Sequence, residues 1–324
     1  MSKNILVTRK IPDVGVKMLE DAGFVVDVNP KAGLLEKSEL LGLLKQKAYD
    51  GVICLLTDQI DAEVFDSAPS VKIFVNFASG FDNINLDEAK ARGVVVANAP
   101  STLTGEAVAE HTLALLFALV SRVVEGDKFI RDEKYHGWDP MLLLGTSLSK
   151  KTMGIVGGGR IGERVAELCH GLGLQIIYHD VNPNENLDKK YGAKYFKSLE
   201  EFLPQADFVS LHVPLLPSTK HLIDEAKLRL MKPTSFLINT ARGPVVDELA
   251  LEKILRERVI AGAGLDVFEF EPKVSPGLLE LSNVVLTPHI SSANMEVRED
   301  MAKLAATNIL EFFNGQKPED QVTK

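Results

Sequence analysis

The chain has 324 residues, of which 45% are hydrophobic and 25% charged, and a formal net charge of −9. That balance belongs to an ordinary globular protein long enough for two domains, each able to bury a core. An acidic chain without any basic run is not a nucleic-acid binder; with no run of about 18 apolar residues and no apolar signal region after Met1, it is expected to be cytoplasmic and free of the membrane. Cys54 and Cys169 lie far apart in apolar surroundings, so buried thiols are expected rather than a disulfide or a metal site.

Short β-branched runs at 4–8, 24–28, 51–55, 72–76 and 94–98 alternate with helix-like segments at 14–22, 36–47 and 86–92. Such alternation reads as βαβ units on a parallel sheet. A long apolar helix is expected over 102–125. The segment 129–148, with Trp138 and the Met141–Gly145 run, fits no sheet and reads as a projection over an interface, a cleft or a satellite core. Further runs at 152–156, 174–180, 207–214, 235–243, 261–268 and 283–288 predict a second, six-stranded doubly wound sheet. A last helix over 294–313 is stopped by Asn314-Gly315. If that helix returns to the first hundred residues, the chain crosses near 98–101 and 290–292. The expected domains are then 1–100 plus 291–324, and an inserted 101–290, with a ligand cleft between them.

Between the run at 152–156 and a helical stretch stands Gly157-Gly158-Gly159-Arg160-Ile161-Gly162, and the following apolar run ends at Asp180. Strand, turn, helix, strand and acid in this order form a dinucleotide fingerprint. Gly157 allows the tight turn, Gly159 admits a pyrophosphate to the backbone amides, Gly162 lets helix and strand pack, and Asp180 grips the ribose.

Hydride transfer to a 2-oxo acid needs a cation for the carboxylate, a proton donor for the carbonyl oxygen and a neighbour to orient that donor. Arg242, after Ile238-Asn239-Thr240-Ala241, puts a guanidinium fork at a strand end. His289, after Thr287-Pro288, stands where the chain leaves the cofactor domain. Either Glu269 or Glu271 could hold its imidazole, and their spacing does not choose. His212 at a strand end is a candidate cofactor contact, whereas the remaining histidines lack metal-ligand spacing. The small residues of Phe77–Asn83 could turn backbone amides toward a carboxylate.

Together with His212-Val213-Pro214 followed by Thr219, Met231-Lys232-Pro233, Gly264–Phe268 with Glu271-Pro272, and Thr287-Pro288-His289-Ile290, these motifs resemble the D-isomer-specific 2-hydroxyacid dehydrogenase family over nearly the whole chain. Trp138-Asp139-Pro140 leading to Leu144-Gly145 is most similar to its glyoxylate/hydroxypyruvate reductases. The resemblance implies two doubly wound parallel-sheet α/β domains, a flavodoxin-like substrate domain with an inserted Rossmann domain. It also implies a homodimer that reduces small 2-oxo acids with NAD(P)H; the histidine spacing already leads to the expectation of no metal. It selects Glu271 as the partner of His289 and gives the substrate to Arg242, His289, Leu55, Ser79 and Gly80. To the cofactor it gives Thr104, Gly157, Gly159, Arg160, Ile161, Gly162, Asp180, His212, Pro214, Thr219, Thr240, Ala241, Asp266 and His289. NADPH-using members tend to carry Arg or Ser where this chain has Asp180 and Val181, so NAD(H) is expected over NADP(H). Two other readings stay open: a 3-phosphoglycerate dehydrogenase-like enzyme, for which no basic cluster is evident, and a cofactor-sensing scaffold of the corepressor type, which the lack of low-complexity tails disfavours.

Overall fold

The computed structural model of the chain describes residues 2–323. It divides into two compact units, Met1–Thr104 with Ala293–Lys324, and Gly105–Ser292. The expected two parallel-sheet α/β architectures are both present.

The first unit carries β1 (Asn4–Val7), β2 (Val25–Val28), β3 (Gly51–Leu55), β4 (Ile73–Phe77) and β5 (Val95–Ala97), all parallel in the order β2-β1-β3-β4-β5. β4 is buried along its whole length, as a strand covered on both faces must be. Leu6, Val52, Cys54, Phe74 and Val96 form one side of the core with Tyr49 and Phe65. The order reverses between β1 and β3, so the carboxyl ends of these strands, at Thr8 and Leu55, flank the topological switch where open α/β sheets take ligands.

The helix Met295–Phe313 closes this unit. Asn294 caps it by accepting the Val297 amide at 2.8 Å. Near its end the fully buried Asn308 donates to the carbonyl of Asn98 at 3.1 Å and to the Asp320 carboxylate at 3.0 Å, and accepts the Asp320 amide at 3.2 Å. One carboxamide thus joins the end of β5 to the C-terminal segment. Replacing Asn308 by Ala leaves the Asn98 carbonyl buried without this partner and frees the half-buried Asp320, and should lower the unfolding free energy by about 1–3 kcal/mol, measured by urea denaturation.

The second unit has seven strands: β6 (Thr152–Val156), β7 (Gln175–His179), β8 (Lys194–Phe196), β9 (Phe208–Leu211), β10 (Phe236–Asn239), β11 (Gly262–Leu265) and β12 (Val284–Leu286). They run parallel in the order β12-β11-β10-β9-β6-β7-β8. The expectation of six strands is corrected by β8, an edge strand of three residues, too short for a period-2 pattern. Along β10, Phe236 and Ile238 enter one core and Leu237 the other, so both faces of the sheet are covered by apolar side chains. The switch lies between β6 and β9, and the glycine fingerprint begins at the carboxyl end of β6.

The single helix expected over 102–125 is two, Leu103–Val120 and Val123–Arg131, broken at Arg122 with φ 54°. The carbonyl of Val120 accepts the amide of Thr146 at 2.8 Å, so the returning chain ends the first helix. That helix is long and apolar enough to cross a membrane by length and composition alone. Its Ala109, Leu115, Leu116 and Leu119 pack into the core of the unit, which accounts for the apolarity.

Candidate active site

The fingerprint loop is shaped by close approaches that admit no side chain. At Gly157, φ is 100°, and a Cβ there would lie 2.5 Å from the carbonyl oxygen of His212; at Gly162 it would lie 2.0 Å from the carbonyl oxygen of Gly157. At Gly159 a Cβ would meet nothing within 4 Å, so the backbone there faces open space. The helix Arg160–Gly171 starts at this point with Gly159 as an N-cap lacking any side-chain bond, which leaves its first-turn amides and dipole to an anion. Asp180 accepts the amides of Gly158 at 2.7 Å and Val181 at 2.6 Å, while Asn184 donates to the carbonyl of Gly158 at 2.7 Å. A pyrophosphate fits this cradle, and a carboxylate stands beside it where a ribose would lie.

Three polar side chains come together elsewhere in the same unit. Glu271 meets Nδ1 of His289 at 3.1 Å through one oxygen and accepts the amide of Phe268 at 3.0 Å through the other. Burial pushes the Glu271 carboxyl up, but the His289 hydrogen bond and charge, the Phe268 amide and the Arg242 charge outweigh it, so the group lies below the usual carboxylate range and is ionised. An ionised carboxylate only accepts, so Nδ1 of His289 carries a proton. Nε2 has no partner among the described residues. The rival acid is engaged apart from this pair: Glu269 bonds Nε2 of His221 at 2.6 Å.

Local packing explains the convergence. Arg242 follows β10, and the buried Asn239 staples its turn by accepting the Ala241 amide at 3.0 Å and donating to the Arg242 carbonyl at 3.0 Å. The next residue, Gly243, lies so close to the other loop that a Cβ would sit 1.9 Å from the carbonyl carbon of Phe268. The turn bearing Arg242 and the loop bearing Glu271 therefore touch backbone to backbone. Glu248, buried in the first turn of the helix Glu248–Arg256, brackets that loop by accepting the amides of Glu269 at 2.7 Å and Ser275 at 2.8 Å. Asn239 and Glu248 were missed in the sequence reading, because a buried carboxamide or carboxylate that bonds only to backbone has no motif of its own.

His289 has φ 55°, a left-handed conformation that is uncommon for a non-glycine residue. Asp266, whose side chain is fully buried, holds it there. Its oxygens accept the amides of Ile290 and Ser291, both at 2.8 Å, and the hydroxyl of Thr287 at 2.6 Å, while its carbonyl accepts the His289 amide at 2.8 Å. Thr287 gives its only proton to Asp266, so it accepts from Nε2–H of His111 at 3.0 Å. Burial pushes the Asp266 carboxyl up, and the His111 ring, whose Nε2 lies 3.5 Å from Oδ1, the Thr287 hydroxyl and the two amides more than reverse it, to about 2.

Among the other residues read from the sequence, His212 bonds Ser210 Oγ at 2.8 Å, and burial pushes its imidazole down to about 3, so it stays neutral. Thr219 closes its own turn, donating to the carbonyl of Pro214 at 2.7 Å and accepting the Leu216 amide at 2.8 Å. Thr240 pairs with the hydroxyl of Thr112 at 3.0 Å. The hydroxyl of Thr104 is buried and has no hydrogen-bond partner among the described residues. Arg160 is exposed on the first turn after the glycine loop, and Ile161 is half-buried beside it. Leu55, Ser79 and Gly80 belong to the first unit, at the end of β3 and in the turn after β4.

A phosphate cradle joined in one unit to an Arg, Glu and His cluster defines a nicotinamide-dependent oxidoreductase. A model of the NAD binding domain of D-isomer specific 2-hydroxyacid dehydrogenases matches residues 113–291. The chain is 45% identical over 328 aligned positions to a glyoxylate reductase of Pyrococcus furiosus, covering 100% of this chain and 96% of that one. A Thermus thermophilus protein of known crystal structure matches with a TM-score of 0.91 at 41% identity, over 98% of this chain and 99% of that one. An NADPH-dependent glyoxylate/hydroxypyruvate reductase of Sinorhizobium meliloti, solved with NADP and malonate, matches with a TM-score of 0.84 at 31% identity, over 99% and 97%. The chain belongs to the D-isomer specific 2-hydroxyacid dehydrogenases.

Two outcomes test this geometry. Gly243→Ala should cost about 1–3 kcal/mol of stability or more, read from the urea midpoint, because backbone and not a flexible side chain must give way. Asp266 has a folded-state value of about 2 against an ordinary 3.8, so its contribution is complete above that ordinary value and lost as the pH falls through the folded one. Unfolding midpoints of Asp266→Asn should therefore vary less than those of the parent between about pH 4 and pH 2; identical profiles would contradict the arrangement.

Proposed function

We propose that this chain is an NADH-dependent reductase that converts glyoxylate, hydroxypyruvate and similar small 2-oxo acids to D-2-hydroxy acids. The observation that carries the proposal is the pair of Glu271 and His289 with the Arg242 charge acting on it, which leaves Nε2 of His289 as the one ring atom available for proton exchange. A nicotinamide bound at the glycine loop supplies the hydride. Arg242 holds the substrate carboxylate and polarises the carbonyl; the amides of Ser79 and Gly80 also bind the carboxylate. In the reduction His289 acts as the imidazolium: its Nε2–H delivers the proton to the carbonyl oxygen, leaving a neutral ring that is reprotonated from solvent. Glu271 pairs with the Nδ1–H of that cation and keeps Nδ1 protonated after the transfer, so that Nε2 is the nitrogen that exchanges the proton. The similarity to curated glyoxylate reductases supports the choice of substrate class.

The preference for NADH rests on Asp180. Held by two backbone amides beside the pyrophosphate cradle, its carboxylate repels a 2′-phosphate and bonds free ribose hydroxyls. The Sinorhizobium relative is NADPH-dependent, so the distinction lies within the family's range. A homodimer is part of the same proposal. Val123, Ile130, Trp138, Met141 and Leu144 are exposed along one stretch, with Trp138 83% accessible, and a second copy is the occupant that would bury them.

His289→Ala should lower kcat on glyoxylate by about a hundredfold or more while leaving the NADH dissociation constant nearly unchanged. Arg242→Ala should act chiefly by raising KM. Unaltered turnover in both variants rejects the assignment. Assays at 340 nm should show higher kcat/KM with NADH than with NADPH, the reverse ranking refuting the role given to Asp180. Light scattering on the eluting protein should give twice the mass of one chain.

A further inference from the structure

The turn after β4 in the first unit is bonded on one side only. The carbonyl of Ala78 accepts the amide of Ala99 at 2.9 Å, that of Ser79 accepts Nδ2 of Asn98 at 2.7 Å, and that of Gly80 accepts Nδ2 of Asn76 at 2.8 Å. The amides of Ser79 and Gly80, by contrast, have no hydrogen-bond partner among the described residues, and both residues are half-buried. In a trans peptide the C=O of one residue points opposite to the N–H of the next. Fixing the Ala78 carbonyl therefore aims the Ser79 amide, and fixing the Ser79 carbonyl aims the Gly80 amide, both away from the anchored side.

The anchors are continuous with Leu55. Asn76 donates to Oδ1 of Asn83 at 2.9 Å, and Asn83 donates to the carbonyls of Leu55 at 3.1 Å and Asp58 at 2.9 Å. Asp58 in turn accepts the Leu55 amide at 2.8 Å and the Thr8 hydroxyl at 2.6 Å. Asn76, Asn83, Asn98 and Asp58 are all buried. Every acceptor that these three asparagines serve on the two loops is a carbonyl, so a carboxylate in their place would set acceptor against acceptor.

We propose that Asn98 and Asn76, the latter linked through Asn83 to Leu55, are positioning residues for the substrate carboxylate. Asn98 locks the plane shared by the Ser79 carbonyl and the Gly80 amide, so that this amide faces the anion beside that of Ser79, whose plane the Ala99 amide fixes; Asn76 fixes the Gly80 carbonyl at the far end of the same turn and through Asn83 holds Leu55 in register with it. The proposal rests on the function proposed above and adds residues to which that function had given no part.

The test compares the parent with Asn98→Ala, Asn98→Asp and Asn76→Ala. It measures glyoxylate KM and kcat, oxamate binding by calorimetry with NADH present, NADH binding alone, and thermal midpoint. The variants should weaken oxamate binding and raise KM by about tenfold, with kcat within about threefold and NADH binding unchanged. Asn98→Asp, which keeps the shape and loses the donor, should be no better than Asn98→Ala. A lower thermal midpoint with oxamate binding intact would reduce the asparagines to structural residues and overturn the proposal; should Asn76→Ala fail to fold, the two Asn98 variants decide. If the parent binds oxamate and the variants lose it while no 2-oxo acid is turned over, the positioning role stands and the proposed function falls. A parent that neither binds oxamate nor turns over any 2-oxo acid removes both, and a parent that turns over glyoxylate no better than its variants removes only the positioning role.

Discussion

A buried carboxylate bonded to its own chain governs the arrangement of the second unit. Asp266 has no solvent-accessible side-chain surface, yet remains ionised because the His111 ring, a hydroxyl and two backbone amides converge on its oxygens. Burying a charge is expensive, and only such full satisfaction makes it tolerable. The hydroxyl and the amides come from Thr287, Ile290 and Ser291, the residues on either side of His289. The carboxylate therefore imposes the left-handed conformation of His289 from both directions, and that strain is offset by bonds that would otherwise be left unmade.

The partners of His289 reach it through a second constraint, the bare contact of Gly243 against Phe268. A glycine there lets the β10 turn and the loop after β11 meet without side chains between them. Arg242 and Glu271 project from neighbouring points of that seam, and the Arg242 charge contributes to keeping Glu271 ionised. Glu248 and the His221–Glu269 pair keep the loop from drifting. The catalytic role proposed for His289 thus depends on a ring of polar groups that never touch a substrate.

Both units place their functional loops by the same device. In the second, Asp180 and Asn184 bond the backbone of Gly158; in the first, Asn76, Asn83 and Asn98 bond the carbonyls of Leu55, Ser79 and Gly80. Loops at strand ends lack ladder partners, and side-chain amides and carboxylates supply them. In the first unit the carbonyls are fixed while the Ser79 and Gly80 amides have no partner among the described residues, so a network without positive charge leaves donors for the anion proposed above.

Much of this was legible in the residue order. Periodicity marked the alternating strands and helices, the glycine spacing marked the phosphate turn, and strand-end context marked Arg242 and His289, because each of these signals is local. The short edge strand β8 and the helix break at Arg122 were not legible: the first is too brief to show a period, and the second arises where chain from Thr146 returns to the Val120 carbonyl. The choice between Glu269 and Glu271 also lay beyond spacing, since both acids could reach an imidazole and only the fold directs one to His221 and the other to His289. Sequence alone determined which chemical groups are present and which local turns carry them. The tertiary structure alone decided which groups are neighbours, and hence the charge state of Glu271 and Asp266 and the direction of each amide, because those depend on partners far away along the chain.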